Sequence, residues 1–364
     1  MKVLHVITSL RTGGAESLIA QIVPLMCAEG IEVEVALFDG TETAFKRQLS
    51  SSGVKIHDFS IGGAVYNPLN ILRLRKLMSR FDIVHTHNTA PQLFAAIGSV
   101  LCSVVLCTTE HNTTNRRRDL WWYAPIDRWM YNRYRHVICI SPDTETNLVK
   151  SLKTKRVHTS VIYNGIDISR YRDASPADLC KAADGCRVAL MQVAGFRYQK
   201  DQDTVIKSLC YLDEDIHLYL VGDGDRRKEL EVLVTAHGLG KRVHFLGIRE
   251  DVPQLLRATD IVVMSSHWEG FGLAAVEGMA AGKPVLTSDV EGLRDVVAGA
   301  GILFAHGDPK ALADKINELL ADRTLYDDRI RLGRLRAENF DIHKMVEGYI
   351  GVYNALMRDK IATK

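Results

Sequence analysis

Short apolar runs alternate with amphipathic stretches along the first part of the chain. The runs have the length of strands buried on both faces, and the stretches between them carry apolar residues at helical spacing. Alternation of this kind is typical of parallel sheets with helices on both faces. The pattern predicts strands over 3–8, 33–38, 83–87 and 137–140 and helices over 16–29 and 68–80.

A second alternating series follows in the later part of the chain. It predicts strands over 188–193, 216–221, 243–246, 261–264 and 284–287, with helices over 202–212, 226–237 and 252–258. A polar stretch over 173–185 with few apolar anchors separates the two series. Since 364 residues exceed what one core usually supports, we predict two Rossmann-like domains, over residues 1–167 and 168–342.

The last amphipathic segment covers residues 343–360, with Met345, Tyr349, Val352 and Leu356 at helical spacing. We expect this helix to pack back on the first domain. Ligands of open parallel sheets bind beyond the carboxyl ends of the strands. The predicted fold class is therefore α/β, with two doubly wound parallel sheets facing a shared cleft.

The charge is small overall but unevenly distributed. The net charge is +2, which gives no argument for a nucleic-acid partner. Residues 1–166 carry a net charge of +6 and the remainder −4. A basic first half permits an anionic partner, such as a lipid surface or a phosphorylated acceptor.

The sequence predicts a cytoplasmic protein. Its first ten residues are too short and too polar at His5 for a secretory signal. The seven cysteines form no C-x-x-C pair and are predicted to be reduced, buried thiols. The longest apolar stretch, 93–107, falls short of the roughly 20 residues that a spanning helix needs. We interpret it as a buried helix followed by a strand.

Two carboxylates lie eight positions apart in the stretch Glu269-Gly-Phe-Gly-Leu-Ala-Ala-Val-Glu277. Gly270 and Gly272 allow a tight turn after a buried strand, and a helix is predicted to begin near Phe271. The unpaired amides and partial positive charge of such a helix start favour a phosphate. With carboxylates on both sides of it, the motif predicts a nucleotide-sugar site.

Other strand ends carry candidate phosphate ligands. Arg197 and Lys200 follow the strand at 188–193 and are placed to neutralise a diphosphate. A glycine loop with Gly13 and Gly14 follows the first strand, and Gly222 follows the strand at 216–221. Each loop by itself is also compatible with an ordinary tight turn or a solvated surface.

Histidines and aspartates offer further candidates. The stretch 104–112 is predicted to be a strand whose carboxyl end presents Glu110, His111 and Asn112. His111 is placed there to bind sugar hydroxyls or to shift protons, with a purely structural histidine as the alternative. His85 and His87 share a strand face, but no third metal ligand has convincing spacing. The D-x-D pairs Asp213/Asp215 and Asp223/Asp225 suggest a divalent metal. Since Arg197 and Lys200 supply positive charge, we expect no metal.

Taken together, these motifs resemble the retaining glycosyltransferases of family 4, which have the GT-B architecture of two Rossmann-like domains. Gly13-Gly14-Ala15-Glu16 is similar to the N-terminal glycine loop of that family, and Val161-Ile-Tyr-Asn-Gly-Ile-Asp167 to its interdomain segment. The stretch from Glu269 to Glu277 resembles its E-x7-E signature. The usual G-R-x-x-x-x-K pattern is altered, because Ala194-Gly195 stands in the G-R position and Arg197 comes two residues later.

The resemblance implies a role for each candidate. Glu269 would bind a hydroxyl of the donor sugar and Glu277 the ribose hydroxyls, while His111 would line the sugar site. The remaining residues would contact the diphosphate, the sugar or the base: Arg197, Lys200, Gly13, Gly14, Gly222, Arg249, Phe271, Gly272 and Leu273. The resemblance implies no cofactor and no metal.

The implied reaction moves a sugar from a nucleotide-sugar donor, UDP- or GDP-linked, to a hydroxyl of a glycan or lipid-linked acceptor with retention. Arg116-Arg-Arg-Asp-Leu-Trp-Trp-Tyr123, with Arg128, Trp129, Arg133 and Arg135, interleaves basic and aromatic residues. This surface is suited to anionic lipid at the inner face of the plasma membrane. An ordinary amphipathic helix, with its aromatics in the core, is the alternative.

Two other functions fit the same architecture. A nucleotide-sugar 2-epimerase would use the same kind of site but would consume donor without an acceptor. A non-catalytic sugar-nucleotide binder would bind donor without transfer or hydrolysis. The E-x7-E stretch and the segment 161–167 favour the transferase.

Overall fold

The computed structural model describes residues 1–11, 13–59, 64–111, 123–152, 157–179 and 185–362. The chain divides into two compact units. The first consists of residues 1–165 together with 342–364, and the second consists of residues 166–341. The predicted boundary at 167/168 lies two residues beyond this division.

A parallel sheet forms the centre of the first unit. In the described residues it has seven strands in the order β3-β2-β1-β4-β5-β6-β7. The central strands β4 and β5 are buried at every position, as expected for a parallel sheet covered on both faces. The strands are β1 (Lys2–Ile7), β2 (Glu32–Leu37), β3 (Lys55–Asp58), β4 (Ile83–His87), β5 (Val105–Glu110), β6 (His136–Cys139) and β7 (His158–Val161).

Helices connect these strands. The first, α1, begins directly after the glycine loop, and α4 ends at Gly98, so the apolar run 93–107 divides into a helix and a strand as predicted. Ala95 and Ala96 pack with Leu106 in one apolar core. The helices are α1 (Gly14–Ala28), α2 (Ala44–Ser51), α3 (Leu69–Met78), α4 (Thr89–Gly98), α5 (Ala124–Tyr131) and α6 (Pro142–Leu152).

The second unit has the same kind of architecture. Its described residues form a six-stranded parallel sheet in the order β10-β9-β8-β11-β12-β13. The strands are β8 (Val188–Val193), β9 (Ile216–Val221), β10 (Val243–Gly247), β11 (Ile261–Met264), β12 (Val285–Ser288) and β13 (Ile302–Phe304). The helices are α7 (Ile168–Arg172), α8 (Gln202–Ser208), α9 (Arg227–Ala236), α10 (Val252–Ala258), α11 (Leu273–Ala280), α12 (Leu293–Val296), α13 (Pro309–Ala321) and α14 (Arg323–Ala337).

The chain then returns to the first unit through a long helix, α15 (Ile342–Ala362). Met345, Tyr349 and Leu356 are buried, as the helical spacing predicts. The remaining position, Val352, is only partly buried, whereas Tyr353 beside it is fully buried. A spacing of four residues from Tyr349 keeps Tyr353 on the same face of the helix. The helix contacts α1 on the face of the sheet.

The predicted fold class of two Rossmann-like parallel-sheet units is confirmed. The helix predicted to begin near Phe271, α11, begins two residues later, at Leu273. Gly272 takes φ +90, ψ +57, and this left-handed conformation places the first helical residue after it. The short strand β13 and the helices α13 and α14 follow the last strand that the pattern predicted.

The cysteine prediction is wrong in part. Cys107 and Cys139 are buried free thiols. Cys27 and Cys210 are free but exposed, and Cys186 is disulfide-bonded. Cys180 lies outside the described residues.

Over the described residues, no helix combines the length and the apolar content that a membrane crossing requires.

Candidate functional site

The second unit carries most of the candidate residues at the carboxyl ends of its strands. Across the sheet, the strand order runs β10-β9-β8 on one side and β11-β12-β13 on the other, so the order in which the chain adds strands reverses between β8 and β11. Such a reversal opens a crevice beyond the strand ends, where ligands of doubly wound sheets bind. Lys200 follows β8 and Glu269 follows β11, so both residues lie at this switch point.

Lys200 and Glu269 form an ion pair, with the Lys200 ammonium donating to Glu269 Oε2. Ser266 Oγ also donates to Glu269 Oε2, at 3.3 Å. The side chains of Lys200 and Glu269 are 22% and 12% exposed. A partly buried pair is less screened by water than a surface pair, so its charges hold each other in place.

The loop that carries Lys200 has an unusual backbone conformation, which side-chain hydrogen bonds hold in place. Asp201 adopts φ +45, ψ +51, a conformation that non-glycine residues rarely take. Its carboxylate caps α8 by accepting from Thr204 N at 3.3 Å and Thr204 Oγ1 at 2.6 Å. Gln192 Nε2 donates to the Lys200 carbonyl at 2.9 Å. These contacts fix the direction in which Lys200 leaves the loop.

Arg197 directly precedes the short 3-10 turn Tyr198–Lys200 and is exposed. Its Nε lies 3.9 Å from the place that a Cβ on Gly195 would occupy. The side chain therefore lies beside the position where the usual pattern has its arginine. Within the described ranges, Arg197 forms no ion pair, so its guanidinium is available to a ligand.

Neighbouring strand ends fit closely against this loop. Gly222, after β9, has φ +130, and a Cβ there would lie 2.1 Å from the carbonyl oxygen of Ala194. Phe196 N donates to the Asp223 carbonyl at 3.0 Å. A side chain at position 222 would separate the two loops. Gly222 thus has a structural reason to be glycine, whether or not it also contacts a ligand.

The glycine turn before α11 is equally constrained. A Cβ on Gly272 would lie 2.4 Å from Leu293 Cδ2, and Gly272 provides no side-chain cap for the helix. Leu273 is the first helical residue. Since the amides of a first helical turn lack partners within the helix, this turn suits an anion. The Phe271 side chain is buried against Phe340 in a T-shaped contact with centroids 5.4 Å apart.

Glu277 contacts a residue that the sequence did not single out. The Tyr171 hydroxyl, on α7, donates to Glu277 Oε1 at 2.8 Å. Burial raises the pKa of Glu277, while the hydrogen bond from Tyr171 acts in the opposite direction. Burial also raises the pKa of Tyr171, so its hydroxyl stays protonated as a donor. Tyr171 fixes the orientation of the carboxylate.

Arg249 is held by a local partner. Its Nε and Nη2 atoms lie 2.7 Å and 2.6 Å from the two carboxylate oxygens of Asp251. The pair is exposed, but Arg249 also lines a cavity of about 340 Å³ with Tyr219, His244 and Leu255. The structure thus places Arg249 at the lining of this cavity.

One aspartate of each acidic pair has a partner within the protein. Asp223 Oδ1 accepts from Gly224 N at 2.8 Å, and Asp223 lies 3.6 Å from Arg227. Asp215 forms an ion pair with Arg187. These contacts match a turn and a surface ion pair.

The first unit contributes Gly13, Gly14 and His111. A Cβ on Gly13, the residue before α1, would lie 2.1 Å from Glu16 Oε2, so the loop closes tightly on itself. Gly14 is exposed in the first turn of α1. His111 directly follows β5, and its Nε2 lies 3.0 Å from His87 Nδ1. Burial lowers the pKa of His111 to about 4, so its imidazole is neutral at pH 7.

A third histidine joins the pair that the strand pattern identified. His5 on β1 is directly opposite His85 on β4. Ligand atoms of His5, His85 and His87 lie within 4.8 Å of one another, so these residues have the composition of a metal site. The sequence contained His5, but only the order of the strands places it beside β4.

Most of the basic and aromatic stretch lies outside the described residues, which begin again at Tyr123. On and after α5, Arg128, Arg133 and Arg135 are exposed, and Trp129 is 42% exposed. Tyr131 and Tyr134 are buried. The described part of this surface therefore presents arginines and one tryptophan to solvent, with the tyrosines in the core.

Comparison with known proteins identifies the chain. Residues 12–170 match the family described as Glycosyltransferase Family 4, and residues 183–336 match Glycosyl transferases group 1. The lipopolysaccharide core biosynthesis mannosyltransferase LpsB of Rhizobium meliloti is 30% identical over 268 residues, 68% of this chain and 72% of LpsB. The chain belongs to the family 4 glycosyltransferases.

This family 4 glycosyltransferase is also similar to a protein of solved structure and to a further sequence relative. The structure of HepE from Anabaena in complex with UDP has a TM-score of 0.87 at 25% identity, covering 98% of this chain and all of the other. The UDP-Gal:alpha-D-GlcNAc-diphosphoundecaprenol alpha-1,3-galactosyltransferase of Escherichia coli is 26% identical over 275 residues, 70% of this chain and 71% of that enzyme.

Proposed function

We propose that this family 4 glycosyltransferase transfers a sugar, with retention, from a UDP- or GDP-sugar to a hydroxyl of a glycan or lipid-linked acceptor. The observation that carries the proposal is the ion pair between Lys200 and Glu269 at the switch point of the second sheet. Structures of HepE, 25% identical, hold UDP, UDP with glucose, and UDP-glucose, which supports a nucleotide-sugar donor.

Lys200 is proposed to bind the diphosphate while it remains paired with Glu269. An ammonium group has three hydrogens, so one bond to Glu269 leaves two for phosphate oxygens. Glu269 has two oxygens and is proposed to accept from a hydroxyl of the donor sugar. Arg197 would add a second positive charge at the diphosphate. The pair thus joins the sugar end and the phosphate end of the donor.

The first turn of α11 is proposed to hold the phosphate or sugar oxygens through the amides of Phe271, Gly272 and Leu273. Glu277, on the same helix, would accept from the ribose hydroxyls. Gly13, Gly14 and His111 would contact the donor from the first unit, and Arg249 would meet the base. Gly222 would permit close approach of the loop backbone to the donor.

Catalysis is proposed to come from positioning and charge. Departure of the nucleoside diphosphate builds negative charge on the leaving oxygen, and the fixed cations Lys200 and Arg197 stabilise it. The leaving phosphate would accept the proton of the acceptor hydroxyl as that hydroxyl attacks the same face of the sugar. The sugar carbon therefore exchanges its bond to phosphate for a bond to the acceptor oxygen. These cations supply the charge that a metal would otherwise provide.

The acceptor is proposed to belong to surface polysaccharide or glycolipid synthesis. LpsB is named for lipopolysaccharide core biosynthesis, and the name of the Escherichia coli relative specifies a diphosphoundecaprenol-linked acceptor. Both names concern glycans built on lipid carriers or lipid anchors.

The test of donor class is a screen of UDP-, GDP- and ADP-sugars by thermal shift and by donor hydrolysis. We expect a UDP- or GDP-sugar to raise the melting temperature and to be hydrolysed slowly without acceptor. Conversion of the donor into an epimeric nucleotide sugar would identify a 2-epimerase. Binding without hydrolysis or transfer would identify a non-catalytic binder.

Lys200→Met should lower kcat for the donor found in the screen by roughly 100-fold, because it removes a fixed charge at the leaving phosphate. Lys241→Met is the matched control. Lys241 is an exposed lysine of the same unit. It precedes β10 and therefore lies at the amino ends of the parallel strands, whereas Lys200 lies at their carboxyl ends. Equal activity of the two folded variants would overturn the phosphate assignment.

We also propose that the exposed residues around α5 bring the enzyme to an anionic membrane surface at the inner face of the plasma membrane. Arg128, Arg133 and Arg135 supply positive charge, and Trp129 supplies an interfacial aromatic ring. The protein should co-sediment with vesicles that contain anionic lipid and should dissociate as salt is raised. Arg128→Gln with Arg133→Gln should weaken this binding. Equal binding to neutral and anionic vesicles would contradict the proposal.

A further inference from the structure

A chain of hydrogen bonds runs through the buried interior of the first unit to His111. It begins at the Tyr353 hydroxyl on α15, which lies 3.2 Å from His5 Nε2. His5 Nδ1 lies 3.0 Å from His87 Nε2. His87 Nδ1 in turn lies 3.0 Å from His111 Nε2. Two imidazoles, those of His5 and His87, therefore connect the C-terminal helix with His111, a candidate ligand of the donor.

A branch of the same chain passes through His85. Its Nδ1 lies 2.5 Å from the Tyr353 hydroxyl, and its Nε2 lies 2.8 Å from Thr109 Oγ1. The Thr109 hydroxyl is 2.9 Å from the hydroxyl of Tyr349, one turn before Tyr353 on α15. Every ring nitrogen of His5, His85 and His87 thus has a hydrogen-bond partner.

The buried histidines of this hydrogen-bond chain, His5, His85 and His87, are neutral. His5, His85 and His87 are fully buried. Burial lowers the pKa of His5 to about 3 and holds the pKa values of His85 and His87 well below the usual value. A neutral imidazole carries one N–H donor and one acceptor nitrogen. Each of these rings must therefore donate at one nitrogen and accept at the other.

This requirement couples the protonation of the rings. If His5 carries its hydrogen on Nε2, it donates to Tyr353 and accepts at Nδ1 from His87. His87 then carries its hydrogen on Nε2 and accepts at Nδ1 from His111 Nε2. If His5 carries its hydrogen on Nδ1, every bond reverses, and His111 carries its hydrogen on Nδ1.

Tyr353 extends the coupling to His85. Its hydroxyl has a single hydrogen, so it donates to either His5 Nε2 or His85 Nδ1 and accepts from the other. When His5 donates from Nε2, Tyr353 donates to His85 Nδ1, and His85 carries its hydrogen on Nε2. The four histidines therefore share one tautomer, either Nε2–H throughout or Nδ1–H throughout.

We propose that His5, His85 and His87 are positioning residues that act through His111. They hold its ring by Nε2 and together set whether its Nδ1 donates to a ligand or accepts from one. Within the described part of the chain, Nδ1 of His111 has no partner, so it is the nitrogen left for the donor. The inference rests on the proposed function, in which His111 binds the donor sugar. A sugar hydroxyl both donates and accepts, so the shared tautomer decides which bond it makes.

The shared tautomer is directly measurable. Two-bond proton–nitrogen correlation spectra of the enzyme labelled with ¹⁵N-histidine distinguish Nε2–H from Nδ1–H rings, and single histidine variants assign the signals. We expect His5, His85, His87 and His111 to show one common neutral tautomer at pH 7. Two different tautomers among the four, or an imidazolium among them, would overturn the inference.

Tyr353→Phe tests the coupling to function. It removes only the hydroxyl that joins His5 and His85. The tautomer of His85 should therefore no longer be coupled to the tautomers of His5, His87 and His111. Loss of one buried bond that orders His111 should lower kcat about tenfold. The donor KM should change less, because His87 still contacts His111.

Tyr349→Phe is the matched control. Tyr349 lies on the same helix and is equally buried, and the substitution likewise removes one phenolic hydroxyl. That hydroxyl is hydrogen-bonded to Thr109 and is connected to His85 only through Thr109. We expect a comparable loss of stability, with the His111 signal and kcat close to those of the unchanged enzyme. Equal losses of kcat in the two variants would show a purely structural role and would contradict the inference.

Failure of the inference can be told from failure of the proposed function. Full activity of His111→Ala would refute the role of His111 in donor binding, whatever its tautomer. Mixed tautomers together with an inactive His111→Ala would refute the inference alone.

Added Zn²⁺ should leave the four ring signals unchanged. Joint displacement of the His5, His85 and His87 signals would identify a metal site in place of the hydrogen-bonded chain.

Discussion

Single side chains in the second unit act in pairs, and the pair of Glu277 with Tyr171 illustrates what each partner contributes. Burial raises the pKa of the Glu277 carboxyl, which weakens its tendency to carry charge. The Tyr171 hydroxyl donates to the carboxylate and partly restores that tendency. Tyr171 thus favours the ionised form of Glu277, the proposed acceptor for ribose hydroxyls.

Tyr171→Phe should shift the pH dependence of nucleotide binding. Removing the hydroxyl takes away a bond that favours the carboxylate, so the pKa of Glu277 rises further. A carboxyl with a raised pKa becomes protonated at a higher pH as the solution is acidified. We therefore expect UDP affinity, measured by calorimetry from pH 8 downwards, to fall at a higher pH in the variant than in the unchanged enzyme.

Tyr326→Phe is the control for this experiment. Tyr326 is another partly buried tyrosine of the second unit, and its hydroxyl donates to the Asp260 carbonyl rather than to a carboxylate. Its loss should leave the midpoint of the pH profile in place. Superimposable profiles for Tyr171→Phe and the unchanged enzyme would remove Tyr171 from the site.

Several residue roles were predicted from the sequence, but their partners were not. The sequence indicated Lys200 and Glu269 because each follows a predicted strand. It did not indicate that they bind each other, since 69 positions separate them. Tyr171 gave no signal at all, because nothing in a short helix after Asp167 distinguishes a ligand-orienting tyrosine from an ordinary core residue.

At the level of the elements, the turn between β11 and α11 places the helix start that is proposed to bind the donor. Gly272 has φ +90 and lies against Leu293, which is fully buried. Both the backbone conformation and the absent side chain are therefore needed. The same turn explains why the helix starts two residues later than the sequence indicated. A left-handed residue ends the loop, and the hydrophobic pattern does not report backbone conformation.

Gly272→Ala should be more damaging than Gly238→Ala. Gly238 also has a positive φ, +69, but no atom lies within 4 Å of a Cβ there. Gly238→Ala should therefore lower the free energy of unfolding by about 1 kcal/mol through backbone strain alone. Gly272→Ala should lower it by a further 1–3 kcal/mol, roughly, through overpacking against Leu293, and should also reduce UDP affinity. Chemical denaturation and calorimetry measure the two effects.

The contrast between these two glycines separates strain from packing. Equal losses of stability would show that the contact with Leu293 relaxes without cost. Unchanged UDP affinity in a folded Gly272→Ala enzyme would contradict the proposed role of the α11 start.

At the level of the whole molecule, the first unit is built from both ends of the chain. Helix α15 supplies Tyr349 and Tyr353, both fully buried, and Gly165 N donates to Met345 Sδ at 3.2 Å. The second unit consists of one continuous segment, 166–341. The two units therefore depend differently on the C-terminal helix.

Ending the chain after Asp341 should unfold the first unit and spare the second. Loss of a buried aromatic residue typically costs about 3–5 kcal/mol, so loss of two exceeds what most domains tolerate. Limited proteolysis with mass spectrometry should show digestion of residues 1–165 and survival of 166–341, with UDP binding retained but weakened. A chain that ends at Lys360 keeps every buried residue of α15 and is the control. Protection of residues 1–165 in the shorter chain would contradict this prediction.

The sequence by itself determined the fold class, the positions of most strands and the family. Strand lengths and helical spacing depend on which faces are buried, and that information is local. The segments β4, β8, β9, α10 and β11 coincide with the predicted ranges. The motifs from Glu269 to Glu277 and over 161–167 lie within single turns or elements, so their spacing alone carried the resemblance.

Only the tertiary structure decided which distant residues meet. His5 joins His85 because β1 lies beside β4, although five elements of regular structure separate β1 from β4 along the chain. Lys200 meets Glu269 because the second sheet reverses its order between β8 and β11. Strand order and register are set by packing of the whole unit, since residues far apart in sequence come into contact only when the sheet forms. The positions of candidate ligands were therefore local information, whereas the charges and hydrogen bonds that tune them arise from the assembled fold.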